Sequence, residues 1–359
     1  MKILMVIQLN SERNPFVSSL VDGLIKIGNQ VVCGLDYFWN SYYDYELIYF
    51  QWPESIFEWQ KNKIDLKKLA DHFDIINKAH IKTIITCHNL HPHNNDTKTT
   101  ELYELVYSRV DAFHHLGNFS YQIMKRKYPN KYHFIAPHHV ADSLRKTSFS
   151  SNEAKKKLHI PSNNIVISSF GAFRNNEEVR LFVDMVNDVS DSDLSFLAPR
   201  IRLGYLDNGR HIDKTIKYIY NCLFYKIKGI KYSGFLSNED LGTWLSASDI
   251  IFIQRKEILN SGNIPLAFSA GKVVVGPNLG NVGEILEETG NYLFDPNDRA
   301  SIKKAVVDAI KNVKKSNQLG LNNYNYAKDN WSTVRVCEII NSQISYIKGY
   351  LNNRDRLPQ

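Results

Sequence analysis

The apolar residues of this chain fall into two alternating patterns, short continuous runs and longer stretches with helical spacing. The run Lys2–Gln8 is almost entirely apolar, as in a strand that is buried on both faces of a parallel sheet. The stretch Phe16–Ile27 repeats apolar residues at helical spacing and stops at Gly28. The same reasoning predicts strands at Gln30–Gly34, Leu47–Phe50, Lys82–Thr86, Asp111–His114 and His133–Ala136, and helices at Lys63–Ala79 and Thr99–Ser108.

This alternation restarts after a polar stretch at Ala141–Ala154, which we interpret as a linker. Strands that alternate with helices of this length predict βαβ units and a parallel sheet in each half. We therefore expect one domain at 1–145, a second at 155–330 and a last helix at 331–351. The second half has predicted strands at Ile165–Phe170, Ile201–Gly204, Ile230–Ser233, Asp249–Ile253 and Lys272–Gly276, and helices at Glu177–Val189, Asn238–Ala247, Ile264–Ala270 and Thr333–Leu351.

Length and composition agree with two soluble domains. The chain has 359 residues, of which 43% are hydrophobic and 23% charged, and no apolar run is long enough for a membrane span. The four scattered cysteines form no disulfide pattern, so we expect reduced thiols and a cytoplasmic protein. The formal net charge of +7 favours anionic partners, including a nucleotide diphosphate and the inner membrane surface. Because the basic residues are spread along the chain, nucleic acid is not an expected partner.

The segment 248–298 carries the clearest candidate chemistry. A predicted strand ends at Ile253, and a polar loop follows that leads into an apolar helix. The carboxyl end of a parallel strand is where open α/β sheets bind ligands, and a helix start offers free N–H groups and a positive dipole end to an anion. The pattern therefore predicts a ligand that carries phosphate. The loop contains Arg255, Lys256, Asn260, Ser261 and Gly262.

The same segment resembles the nucleotide-sugar half of GT-B glycosyltransferases of the glycosyltransferase-4-like group. The resemblance rests on the successive runs LNSG, SAGKVVVGP, GNVGEI and GNYLFDPND, and LNSG is also found in a subgroup that builds polysaccharides. It covers most of residues 165–345 and, more loosely, residues 1–140. It implies an α/β fold of two Rossmann-like domains that face each other across a cleft, with the last helix packed back on the first domain.

The resemblance also implies a set of donor-binding residues. Arg174 follows the strand run ISSFGAF, where the family places an arginine that grips a diphosphate, although a surface arginine that caps a helix would fit the pattern as well. The family's second cation is missing from that loop, and Arg255 or Lys256 is expected to replace it. Glu284 occupies the position of an acidic residue in GNVGEI, and it would also suit a helix start.

Two features of the loop from Arg255 to Gly262, which we call the donor loop, allow more than one interpretation. The backbone N–H groups of Asn260, Ser261 and Gly262 are expected to hold the phosphates, but Asn and Ser are also common helix caps. The family's pair of glutamates falls on Ile258 and Leu266, neither of which is acidic.

The first half contains a dense histidine run, TCHNLHPHNND, directly after a predicted strand. His88, His91 and His93 resemble the HN-x-x-PH loop of the same subgroup. That similarity implies a catalytic role for His88, which would polarise an acceptor hydroxyl or stabilise the leaving phosphate, and acceptor contacts for His91 and His93. Metal binding and structural hydrogen bonds are the alternatives, and the spacing lacks the HExxH order of a zinc helix.

Two further loops of the first half supply candidates. Trp52 and Glu54 follow the strand run LIYFQ, where Trp52 would contact the acceptor and Glu54 would act as a general base or cap a helix. Asn14 precedes the first helix in a loop that replaces a glycine-rich turn, and we expect it to contact the acceptor.

The resemblance implies transfer of a sugar from a nucleotide-diphosphate donor to a hydroxyl of a glycan or lipid-linked glycan in bacterial surface polysaccharide synthesis. No metal and no cofactor are expected, because cations and helix starts can stabilise the leaving diphosphate. Two other hypotheses use the same fold. One is a sugar-nucleotide epimerase, and the other is a non-catalytic partner of another glycosyltransferase, which would explain the missing glutamates.

Overall fold

The computed structural model describes residues 1–8, 15–92, 96–140, 149–201 and 222–354, with side chains up to residue 347. The chain divides into two compact units. Unit 1 comprises Met1–Ala141 and Asn330–Gln359, and unit 2 comprises Asp142–Asp329. Within the described residues no helix is both long enough and apolar enough to cross a membrane.

Unit 1 is built on a six-stranded parallel sheet with the order β2-β1-β3-β4-β5-β6. Its middle strands are buried along their whole length, as their apolar sequences predict. The strands are β1 (Lys2–Val6), β2 (Gln30–Cys33), β3 (Leu47–Phe50), β4 (Lys82–Thr86), β5 (Ala112–His115) and β6 (Tyr132–Ile135). The helices are α1 (Pro15–Lys26), α2 (Leu35–Asn40), α3 (Leu66–Lys78), α4 (Thr97–Arg109) and α5 (Asn118–Lys127), with short 3-10 turns at Tyr42–Asp44, Pro53–Phe57 and Lys61–Lys63.

The last helix, Thr333–Arg354, belongs to unit 1 and packs on α1. Gly23 of α1 makes this close approach feasible, because a Cβ atom there would lie 2.5 Å from Cys337 Sγ. The last helix buries Val336, Ile340 and Ile344 in the same core as β1 and β3. The core of unit 1 is therefore completed by residues that lie far from it in sequence.

Unit 2 has a second six-stranded parallel sheet, with the order β12-β11-β10-β7-β8-β9. Its strands are β7 (Ile165–Ser168), β8 (Leu194–Leu197), β9 (Ile230–Lys231), β10 (Ile250–Phe252), β11 (Val273–Pro277) and β12 (Tyr292–Phe294). Its helices are α6 (Ser151–Lys157), α7 (Asn176–Val189), α8 (Asn238–Ala247), α9 (Asn263–Ser269), α10 (Gly280–Glu288), α11 (Arg299–Lys315) and α12 (Gln318–Asn330), and the last helix of the chain is α13 (Thr333–Arg354).

Two predictions for the second half differ from the structure at the residues that are described. The strand predicted at Ile201–Gly204 does not include Ile201, which follows a turn, and the other three residues lie outside the described residues. The strand of this region is β8, which ends four residues before Ile201 and lies between β7 and β9. The predicted linker also contains the start of α6, which Ser150 and Glu153 stabilise through a capping box.

Each sheet has one point at which the strand order changes direction. In unit 1 the chain goes from β1 to β2 on one side and then to β3 on the other, so the reversal lies between β1 and β3. In unit 2 the reversal lies between β7 and β10. Open α/β sheets bind their ligands in the crevice outside the carboxyl ends of the strands at such a point.

Candidate functional site

The loop after β7 is fixed by side chains that follow β10, so the two sides of the reversal in unit 2 are tied together. The hydroxyl of Ser169 donates to Gln254 Oε1 at 2.5 Å. The side-chain amide of Asn263 donates to the carbonyl oxygen of Phe170 at 2.9 Å. Arg255 Nη2 donates to the carbonyl oxygen of Ala172, also at 2.9 Å. These bonds set the position of the loop that carries Arg174.

Arg255 is held by a buried ion pair with Glu178. Both residues are almost inaccessible, with exposed fractions of 9% for Arg255 and 3% for Glu178. Arg255 Nη1 donates to Glu178 Oε2, and the same oxygen accepts the backbone N–H of Arg174 at 2.6 Å. Glu178 thus fixes both arginines, one through its guanidinium and the other through its backbone.

Arg174 and Arg200 both lie within electrostatic reach of Arg255 at the carboxyl edge of this sheet. Burial, then Arg174 and to a smaller degree Arg200, together lower the pKa of Arg255 to about 10, against the opposing effect of Glu178. Arg174 and Arg200, which follow β7 and β8, are exposed. We call Arg174, Arg200 and Arg255 the arginine cluster. One glutamate does not neutralise three cations, so this edge attracts an anion.

Arg200 was missed by the sequence analysis, although a signal for it was present. The strand was placed at Ile201–Gly204, which puts Arg200 before a strand and away from the carboxyl edge. The apolar run LSFL, which forms β8, would have put Arg200 just past the end of a strand. Glu178 was also missed, because nothing in the sequence distinguishes a buried glutamate from the exposed Glu177 beside it.

The other predicted donor residues are placed differently. Lys256 lines a cavity of about 230 Å³ together with Glu177 and Arg180, and Arg255 is not among the residues that line it. Glu284 is half-buried in α10. It lies near Tyr326. The pKa of the Tyr326 phenol is raised by burial, then by Glu288 and to a smaller degree by Glu284.

At the start of α9 the N–H groups of Asn263 and Ile264 are occupied. Ser261 accepts the N–H of Asn263 through its hydroxyl and the N–H of Ile264 through its carbonyl oxygen, and Pro265 has no N–H. Gly262 has φ of −64°, which any residue adopts. The arginine cluster is therefore the best-supported anion site of unit 2, and phosphate contact by the N–H groups of Asn260, Ser261 and Gly262 stays a prediction.

Asn260 connects the donor loop to α10. Its Oδ1 accepts from Asn281 Nδ2 at 2.7 Å, and the N–H of Asn281 donates to Leu259. The chain can approach this closely because residue 280 is glycine, with φ of +57°. A Cβ atom on Gly280 would lie 2.7 Å from the carbonyl oxygen of Ile258.

In unit 1 the structure brings two of the predicted residues into contact. The rings of His88 and Trp52 are stacked, with centroids 4.0 Å apart and planes inclined by 14°. His88 Nε2 lies 3.1 Å from Gln51 Oε1, which only accepts, so Nε2 carries the proton. Burial lowers the pKa of His88 well below its usual value, and the neighbouring His138 lowers it further. His88 is therefore a neutral hydrogen-bonding group and not a positive charge for a leaving phosphate.

His88 belongs to a group of buried and half-buried imidazoles at the carboxyl edge of the first sheet. Phe16 packs on His88, His138 and His139 with ring-centroid distances of 5.2, 4.5 and 4.5 Å. His114 donates from Nε2 to the carbonyl oxygen of Ala136 and accepts from Tyr49 on Nδ1 at 2.6 Å. Burial lowers the pKa of His114 and of His138 to about 4. Much of the histidine richness of this half is thus structural.

Glu54 lies in the 3-10 turn that follows Trp52, and its environment suits proton transfer. The hydroxyl of Tyr103 donates to both carboxylate oxygens at 3.0 Å and accepts from the amide of Asn89, the residue after His88. Burial raises the pKa of Glu54, although the bond from Tyr103 opposes it. Glu54 and His88 are therefore linked through Tyr103 and Asn89.

Of the remaining predicted acceptor residues, the structure describes His91. His91 is exposed, and it lies near Glu104, whose pKa is lowered mainly by Lys127 and slightly by His91. Asn14 and His93 lie outside the described residues. In the part of the chain that is described, no three His, Cys, Asp or Glu side chains come together as they would around a metal ion.

The two sheets and this edge chemistry define an α/β protein of the GT-B class, and comparison with known proteins supports that class. Residues 150–326, just under half of the chain, match the model of the family described as glycosyl transferases group 1. The match covers the part of unit 2 that carries the arginine cluster. A search of curated proteins gave no match.

Solved structures resemble the whole chain at low sequence identity. A structure of Anabaena HepE in complex with UDP aligns with a TM-score of 0.71 and 14% identity, covering 96% of this chain and 100% of that one. Sucrose-phosphate synthase from Thermosynechococcus elongatus gives 0.72 and 12%, with 98% and 100% covered. UDP-GlcNAc 2-epimerase from Neisseria meningitidis gives 0.59 and 12%, with 96% and 100% covered. These similarities establish the GT-B fold, and with the family match they support a glycosyltransferase.

Proposed function

We propose that this protein transfers a sugar from a nucleotide-diphosphate donor to a hydroxyl of a glycan or lipid-linked glycan in bacterial surface polysaccharide synthesis. The observation that carries the proposal is the arginine cluster at the β7/β10 reversal. The solved relatives include HepE with UDP-glucose, which is consistent with a donor of this chemical class. We further propose that the reaction uses no metal ion and that the protein works in the cytoplasm, in contact with the anionic inner face of the membrane.

The chemistry assigned to unit 2 is stabilisation of the leaving diphosphate. Arg174 and Arg200 are exposed and able to reach a ligand, and a guanidinium can hold two phosphate oxygens at once. Arg255 is already bonded to Glu178 and Ala172, so it adds positive potential and holds the loop in place. Cations that are fixed before the reaction stabilise developing negative charge without reorganisation.

The chemistry assigned to unit 1 is activation of the acceptor hydroxyl. Glu54 is the candidate base, because its raised pKa increases its affinity for a proton at neutral pH. Neutral His88 would orient the hydroxyl by hydrogen bonding, while Trp52 holds its ring in place through the stacked contact.

The proposal is tested by thermal stabilisation with UDP-, GDP-, ADP- and dTDP-sugars. We expect one nucleotide series to raise the melting temperature of the wild type, and Arg174→Ala to weaken binding about tenfold or more because a charge-assisted phosphate contact is lost. Arg126→Ala is the matched control, since Arg126 is an exposed arginine in unit 1. Binding is expected to persist in EDTA.

The outcomes separate the hypotheses. Consumption of the bound nucleotide sugar only when a glycan is supplied supports the transferase. Conversion to another nucleotide sugar with no acceptor present identifies an epimerase. A folded protein that no nucleotide stabilises would instead be the non-catalytic partner, and the proposal would be abandoned.

A further inference from the structure

A cavity of about 450 Å³ lies at the carboxyl ends of the first three strands of unit 1. This volume is within the range of small-molecule sites, about 300–1,000 Å³. Its walls come from Gln8 after β1, from Leu35 and Asp36 after β2, and from residues 56–58 after β3. It therefore occupies the β1/β3 reversal, the counterpart in unit 1 of the position that holds the arginine cluster in unit 2. We call it the β1/β3 pocket.

Trp39 presents a fixed aromatic ring to this pocket. Its ring contacts those of Phe57 and His72, with centroid distances of 5.9 and 5.0 Å. The ammonium group of Lys68 lies 4.5 Å from the centre of the same ring. His72 is itself held by a 2.7 Å bond between its Nε2 and the carbonyl oxygen of Phe38. Lys68 covers one side of this half-buried ring, and the part that lines the pocket is available to the apolar face of a pyranose at little cost in conformational entropy.

The charges of the pocket are mixed and largely satisfied by one another. Lys63 forms an ion pair with Glu58, and Asp65 caps α3 by accepting the N–H of Lys68 at 3.0 Å. Asp36 contributes a further exposed carboxylate. Two ammonium groups thus face three carboxylates, so a phosphate or uronate would be repelled as much as attracted. An uncharged ligand with many hydroxyl groups finds both donors and acceptors here.

The wall formed after β3 is held in an unusual backbone conformation. Glu58 and Trp59 are consecutive non-glycine residues with φ of 53° and 62°. Hydrogen bonds from the N–H groups of Trp59 and Gln60 to Glu54 and Phe57 close this turn. The turn places Phe57 and Glu58 in the pocket, and left-handed residues that persist in this way are found most often at ligand sites.

We propose that the β1/β3 pocket binds uncharged sugar residues of the acceptor glycan, with Trp39 as the stacking platform and Asp36 as a hydrogen-bond acceptor for hydroxyl groups. That the bound glycan is the acceptor rests on the proposed transferase function. That the pocket binds neutral sugars stands on its own residues and can be tested without a donor.

The test uses a panel of tetrasaccharides and saturation-transfer NMR on the full chain. The neutral probes are maltotetraose, cellotetraose and chitotetraose, and tetragalacturonate is the charged probe. We expect at least one neutral probe to bind more tightly than tetragalacturonate. Asp36→Asn should weaken that binding about tenfold, and Trp39→Leu at least as much. Asp71→Asn is the matched control, an exposed aspartate of α3 outside the pocket lining, and should bind as the wild type does.

Nucleotide-sugar stabilisation is measured on the same wild-type sample. If the neutral glycan binds through Asp36 and no nucleotide sugar stabilises the protein, the assignment of the β1/β3 pocket is supported and the transferase proposal fails. If nucleotide sugars bind but no neutral probe does, the pocket assignment is overturned. It is also overturned if tetragalacturonate binds best or if Asp36→Asn and the control behave alike. Asp36→Asn changes one exposed side chain, so the test remains decisive even if Trp39→Leu does not fold.

Discussion

Acidification from pH 7 to pH 5 is expected to unfold unit 1 while unit 2 remains folded. Ten of the twelve histidines lie between His72 and His139, all in unit 1. Burial lowers the pKa of His139 to about 3 and, with the nearby His133, that of His115 to about 2. The hydrogen bonds explain why these pKa values are lowered, because they fit neutral rings. His133 donates to the carbonyl oxygen of Tyr128 and accepts from His115. Within the described residues Nδ1 of His115 has no partner, so a proton there would have no acceptor.

The sign of this pH dependence follows from the pKa values of histidine in the folded and unfolded states. An unfolded histidine has a pKa of about 6.5, so these residues stabilise the fold fully above that pH and lose their contribution as the pH falls towards their lower folded values. Each buried histidine then removes up to about 1.4 kcal/mol per pH unit. Several such residues together approach the total stability of a domain, about 5–15 kcal/mol. Paired carboxylates add to this loss of folding stability only at lower pH.

Tryptophan fluorescence is a suitable probe, because four of the five tryptophans lie in unit 1 and only Trp244 lies in unit 2. The pH dependence of urea unfolding gives the number of protons taken up, and His115→Phe should reduce that number by about one whatever it does to stability at pH 8. Unfolding of both units to the same extent would contradict the assignment of neutral histidines. So would a fluorescence signal that does not change between pH 7 and pH 5.

Glu178→Gln is expected to destabilise unit 2 by about 3–5 kcal/mol, because it leaves the guanidinium of Arg255 buried without a counter-charge. For a unit of this size the melting temperature falls by about 2–4 °C per kcal/mol, so a drop of about 10 °C is expected. Glutamine keeps one oxygen that can accept the Arg174 backbone N–H, but it has no charge to pair with the Arg255 guanidinium that holds this loop, so the response to nucleotide sugars should weaken as well. Differential scanning calorimetry measures the first effect and ligand titration the second.

Two further variants separate stability from binding. Glu177→Gln alters the adjacent, exposed glutamate and should change the melting temperature by about 1 °C or less. Replacement of both partners, Glu178→Leu with Arg255→Met, should recover most of the lost stability, since a buried ion pair can often be replaced by apolar side chains. That double variant should still bind nucleotide sugars poorly. Recovery of both properties would show that the arginine cluster is not the donor site.

The sequence predicted the fold class because short, largely apolar runs alternate with helical stretches in both halves, although β5 (Ala112–His115) and β9 (Ile230–Lys231) are not continuous apolar runs. Elements with mixed composition were missed. The helices α2, α5 and α12 carry many aromatic or polar residues and lack a clear apolar stripe, so packing against the sheets decides their conformation. The strand β8 was not predicted, because its four residues, LSFL, include a polar serine and directly follow a polar turn.

The candidate site was predicted less well than the fold for a physical reason. Arg174 and His88 directly follow strands and were identified from that position. The role of Arg255 depends on Glu178, which lies 77 residues earlier in the sequence. The neutral state of His88 depends on burial by residues from other strands. Such properties arise from contacts between distant segments, and no local pattern encodes them.

The last helix has a consequence for synthesis on the ribosome. The segment Met1–Ala141 of unit 1 is synthesised before unit 2, but its core needs α13, whose buried residues emerge about 190 residues after that segment. Unit 2 is continuous in sequence and can complete its fold first. Until α13 arrives, the surface of α1 around Gly23 stays uncovered, so the nascent chain exposes an apolar patch for much of its translation. A chaperone that binds apolar segments would meet this protein at α1, and release would follow the synthesis of α13.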